Sequence, residues 1–103
     1  MNFTQLLEAV KDDTLPLSLI EKYRDEMVHL HSAMQIELAN LEKAEALYFL
    51  KYKQAENGER PDIVIKRMWR GEIGGQRMLE LNRYVKAIAK EIDSLKSRVY
   101  RLI

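Results

Sequence analysis

The chain has 103 residues, 47% of them apolar and 32% charged, with a net charge of +1 and no cysteine. Such a composition suits one small water-soluble helical domain. It argues against a disordered chain, a disulfide scaffold, a thiolate metal site and a strongly acidic nucleic-acid mimic. No apolar run approaches the ~18 residues of a membrane span, and "MNFTQLLEAVKDD" lacks the basic and apolar regions of a signal peptide, so no membrane contact and a cytoplasmic location are expected.

Charge is unevenly spread. Residues 1–58 carry six Lys/Arg and ten Asp/Glu, whereas residues 59–103 carry eleven and six. Pairing of an acidic helix with a basic one explains this within a fold or a dimer, and a basic half that meets nucleic acid is the alternative.

The first predicted helix covers residues 3–11, with Asn2 as its cap and Phe3, Leu6, Leu7 and Val10 on one face. Pro16 interrupts it, and a long helix over 17–54 follows. Its start is set either by Pro16 in the first turn or by "SLIE", a capping box of Ser18 and Glu21. No Gly or Pro occurs from there to Gln54. An apolar stripe runs through Ile20, Tyr23, Met27, Leu30 and Met34, and then through Leu38, Leu41, Ala44 and Tyr48. Glu37 stands where the next seam residue is due.

"ENGERPD" ends the long helix, with Gly58 expected in the left-handed position and Pro61 barring continuation. "PDIVIKRMWRG" reads as a short helix over 62–70 capped at Asp62. A strand is the alternative, but an all-helical chain offers it no partner. Gly71, Gly74 and Gly75 are expected to loosen the chain before a last helix over 76–102.

That last helix carries Met78, Leu81, Val85, Ile88, Ile92, Leu95, Val99 and Leu102, in steps that alternate three and four. This is the a/d seam of a coiled coil. The predicted fold is all-α: a long antiparallel helical hairpin in one domain, with a short N-terminal helix and a short helix after the turn. Two such hairpins are expected to dimerise through their seams into a four-helix bundle.

No constellation supports catalysis, a cofactor, a metal or a small-molecule substrate. His29 and His31 lie two apart and cannot share an ion on one helix face. Glu26 and His29 match a Glu-x-x-His spacing, but the motif occurs once where a carboxylate-bridged site needs two. "GEIGG" lacks the Lys-Ser/Thr of a phosphate loop.

Two surfaces remain. Leu47, Tyr48, Phe49 and Leu50 are consecutive and cover every side of the helix. Either Ile63, Ile65 and Trp69 fold back over Phe49 and Leu50, or Phe49, Met68 and Trp69, framed by Arg67 and Arg70, form a patch for a protein partner. The second surface is the outer face of the last helix, where Arg83, Lys86, Lys90, Tyr100 and Arg101 would meet a phosphate backbone and stack on a base.

The segments "LIEKYRDEMVHLHSAMQIELANLEKAEALYFL" and "GGQRMLELNRYVKAIAKEIDSLKSRVYRL" resemble small uncharacterised all-helical proteins encoded by bacteriophages. The resemblance implies an accessory factor or inhibitor in the cytoplasm of a bacterial host. Such a factor would be non-enzymatic, acting on a partner protein, or alternatively on nucleic acid in replication, recombination or packaging.

Overall fold

The computed structural model of the protein describes residues 1–55 and 57–103. Four helices and no strand occur among them: α1 (Phe3–Val10), α2 (Leu17–Ala55), α3 (Asp62–Gly71) and α4 (Ile73–Leu102). The fold is the expected all-α hairpin of α2 against α4. The chain divides into two compact units, one of residues 1–34 with 84–103 and one of residues 35–83.

In the first unit, α1 begins with a reciprocal cap. The Asn2 side chain accepts from the Gln5 amide at 2.8 Å, and the Gln5 side chain accepts from the Asn2 amide at 2.9 Å. Leu6 and Val10 of α1, Ile20, Met27 and Met34 of α2, and Ile88 and Leu95 of α4 are buried. Within each of the two long helices these residues recur every seven positions, which keeps them on one face. Phe3 meets Tyr84 with ring centroids 5.3 Å apart. Arg98 of α4 donates to the carbonyls of Val10 and Asp12, both at 2.7 Å, and so ties down the C-terminal end of α1. Helix α2 starts at Leu17: the Pro16 carbonyl accepts from Leu19 and Ile20, which places the start at the proline, with Ser18 already inside the first turn.

In the second unit, α2 ends through two left-handed residues, Asn57 and Gly58, with φ of 52° and 80°. Asparagine, and not glycine alone, makes this stop. The Asn57 and Gly58 amides donate to the carbonyls of Gln54 and Lys53, which satisfies two groups that the helix end would otherwise leave unpaired. Lys53 then holds the turn closed. Its ammonium donates to the carbonyls of Gly58 and Arg60 and pairs with Asp62 at 2.9 Å. Pro61 caps α3, and Asp62 is its first residue, where a carboxylate favours the exposed amides. Ile65, Trp69 and Leu81 are the buried apolar side chains among the described residues of this unit.

Helix α4 begins at Ile73, ahead of the expected Gln76, and includes Gly74 and Gly75. Neither glycine has positive φ, so conformational freedom is not their role. A β-carbon on Gly74 would lie 2.7 Å from the Trp69 ring, and one on Gly75 would collide with the Trp69 carbonyl oxygen. The glycines bring α4 into close contact with α3.

Candidate functional site

The four large apolar residues at 47–50 separate by helical angle. Tyr48 is half-buried, meets Trp69 and Tyr52 in tilted ring contacts at centroid distances of 5.4 and 4.6 Å, and donates to the Glu72 carboxylate at 3.3 Å. Burial, reinforced by the Glu72 charge, pushes its phenol above the ordinary tyrosine range. Phe49 is half-buried. Leu47 and Leu50 are 68% and 53% exposed.

Of the two arrangements that the sequence offered, the cover of Leu50 by α3 is not found. Ile65 and Trp69 lie four apart and share the buried face of α3, whereas Ile63 is two residues from Ile65 and projects to solvent. What α3 and α2 enclose is an open cavity of about 420 Å³. It is lined by Glu42, Glu45, Ala46, Tyr48, Phe49, Leu50, Ile65, Lys66 and Trp69.

Trp69 is only 7% exposed, and its buried indole N–H has no acceptor among the described residues. It is thus a wall of the cavity and no solvent-held anchor for a partner. The other expected partner residues are only partly gathered there. Phe49 lines the cavity with Trp69, whereas Arg67 and Arg70 are exposed and outside its lining. Met68 is half-buried with its sulfur 3.2 Å from a guanidinium nitrogen of Arg60.

One pattern on α2 was missed, in which Ile36, Ala39 and Ala46 join the Leu47 and Leu50 already singled out. Ile36, at 65% exposure, Ala39, Ala46, Leu47 and Leu50 form an outward apolar stripe on α2. It lies half a turn from the inward Leu41, Glu45, Tyr48 and Tyr52. The signal was the repeat Ile36, Ala39, Lys43, Ala46, Leu50, in which two alanines and a lysine dilute the apolar pattern.

The inward face at this level carries the residue that breaks the seam. Glu37 receives two hydrogen bonds from Arg77, at 2.8 and 3.0 Å, and this pairing holds its carboxyl below the usual glutamate range. Arg77 also reaches Glu80 at 3.1 Å.

The seam of α4 is used inside the chain. Leu81, Ile88 and Leu95 are fully buried, Met78, Val85, Ile92 and Val99 are half-buried, and Leu102 is exposed. The fully buried row is already covered by its own chain, so it offers nothing to a second copy. Arg83, Lys86, Lys90, Tyr100 and Arg101 are all exposed, as is Asp93 among them. His29 is exposed and His31 half-buried, and no group of three or more metal-binding side chains occurs among the described residues. No described helix is long and apolar enough to cross a membrane.

Comparison with protein-family models, curated proteins and solved structures finds no match. The reading of function therefore rests on this site.

Proposed function

We propose that the chain is a non-enzymatic helical interaction protein, an accessory factor that works by docking another polypeptide on residues 35–83. The observation that carries this is the exposure of Leu47 and Leu50 beside the cavity walled by Phe49, Ile65 and Trp69. Large apolar side chains that stay exposed next to an apolar recess are the usual mark of an interaction surface. The volume suffices for one or two apolar side chains of a partner, and the Glu42 and Lys66 rim supplies the polar border such interfaces have.

A photo-crosslinking amino acid in place of Leu50, with Lys86 as the control position, tests this in cells that make the protein. Adducts to a polypeptide at position 50 and none at position 86 are expected. Equal labelling, or none, at both positions would refute the reading.

A further inference from the structure

The chain has four asparagines, and Asn57 alone is followed by glycine. Asn2, Asn40 and Asn82 precede Phe3, Leu41 and Arg83, and each belongs to a helix or its cap. Asn57 lies outside the helices, is exposed, and its side chain makes no hydrogen bond among the described residues. An asparagine can cyclise onto the backbone nitrogen that follows it, because the ring so formed has five members. Glycine leaves that nitrogen unshielded, and even a β-carbon on Gly58 would meet nothing within 4 Å, so the ring has room.

We propose that Asn57 is a site of spontaneous deamidation, held in check by the clasp of Lys53 on the turn. In the reaction the Gly58 nitrogen loses its proton to solvent and bonds to Cγ of Asn57. The bond from Cγ to Nδ2 breaks, and ammonia leaves with a proton taken from water. Water then opens the cyclic imide at either carbonyl. The product is an aspartate at position 57 or its iso form, in which the chain runs through the side-chain carbon. Water is the sole co-reactant.

The fold opposes the first step. The Gly58 amide donates to the Lys53 carbonyl at 2.8 Å, and the Asn57 amide donates to that of Gln54. A nitrogen engaged in this way cannot attack, so the turn must open first. The Lys53 ammonium keeps it closed, since it donates to the carbonyls of Gly58 and Arg60 and pairs with Asp62 at 2.9 Å. This turn links α2 to α3, which carries Ile65 and Trp69 of the cavity wall. The product adds a negative charge there and, in the iso form, one further backbone atom. The modification thus bears on α3 whatever occupies the cavity.

The full chain, incubated at mildly alkaline pH and mapped by peptide mass spectrometry, tests this, with an isoaspartate-specific methyltransferase to mark the iso form. Wild type should gain an acid at position 57 and none at Asn2, Asn40 or Asn82 over the same time. The rate should rise with pH, since the attacking nitrogen must lose a proton. Lys53→Gln should react about tenfold faster with its helical content retained, that factor being what one hydrogen bond from a charged group contributes to an opening equilibrium. If Lys53→Gln fails to fold, Asp62→Asn, which removes only the ion pair, takes its place and should also react faster than wild type. Wild type in guanidinium gives the unprotected rate and should exceed both. Loss of the amide at Asn57 no faster than at the other three asparagines would overturn the site. A variant rate equal to that of wild type, or a folded rate as high as the unfolded one, would overturn the clasp.

Discussion

Gly75 stands where a β-carbon would run into the carbonyl oxygen of Trp69, so the start of α4 is held against the end of α3 by the absence of a side chain. The obstructing atom is backbone and cannot rotate away. Around this contact, the Glu72 amide donates to the Trp69 carbonyl at 2.9 Å, and the Gln76 side chain donates to the Arg70 carbonyl.

Three alanine substitutions separate contact from flexibility. Gly75→Ala must displace α4 from α3 and should cost about 2–4 kcal/mol, as backbone shifts forced by overpacking do. Gly74→Ala meets the edge of the Trp69 ring and should cost less, about 1–2 kcal/mol. Gly71→Ala meets nothing within 4 Å at a position without positive φ, and should be neutral or stabilise by up to ~1 kcal/mol. Urea unfolding of the three variants checks the order. A Gly75→Ala protein as stable as Gly71→Ala would remove the contact argument.

The Glu37–Arg77 pair gives a pH signature. Arg77 holds the Glu37 carboxyl below its usual range, so the carboxylate binds its proton less readily in the folded than in the unfolded chain. Its contribution is therefore complete above the ordinary glutamate value and is lost as pH falls through the folded one. Both side chains are more than a third exposed, so screening keeps the contribution small, about 0.5 kcal/mol. Wild type should exceed Glu37→Gln by that margin at pH 7, and the gap should close below about pH 4. A gap that widens on acidification would contradict the assignment.

Much of the fold was legible because helix ends are local. Asn2, Pro16, and Gly58 with Pro61 act within a few residues of themselves, and each marks a real boundary. The seven-residue recurrence of Leu81, Ile88 and Leu95 was equally plain. What was not legible depends on tertiary contact. Gly74 and Gly75 read as breakers because glycine lowers helix propensity, and only the presence of Trp69 beside them turns that into a packing requirement. One of the two arrangements offered for Leu50, a cover by α3, would have needed Ile63 and Ile65 on one face of that helix, which a helix forbids. The second stripe of α2 was hidden by its alanines, which are as common on solvent faces as in contacts.

The seam yields a contrast between its buried and open positions. Ile88 is fully buried, so Ile88→Asp should place an uncompensated carboxylate in the core of its unit and cost several kcal/mol, ~3–5. Leu102 occupies an equivalent repeat position but is 55% exposed, and Leu102→Asp should stay within about 0.5 kcal/mol of wild type. Thermal unfolding monitored by circular dichroism distinguishes the two. Equal effects would mean that the repeat, and not burial, sets the energetics.

Trp69 is the one tryptophan of the chain, so its fluorescence reports the cavity wall directly. Buried against Tyr48, it should emit to the blue of free indole and resist quenching by iodide. Trp69→Ala removes a large buried ring and should cost about 3–5 kcal/mol. Trp69→Phe removes less, and it also removes an indole N–H that is buried without an acceptor among the described residues. A donor left unpaired in the interior is itself destabilising by about 1–3 kcal/mol, so its loss offsets part of the lost area. Trp69→Phe should accordingly lie within about 1–2 kcal/mol of wild type, well short of the alanine variant. Equal loss of stability in the phenylalanine and alanine variants would show that the N–H does make a bond in solution, and red, freely quenched emission would mean that the ring does not wall the cavity at all.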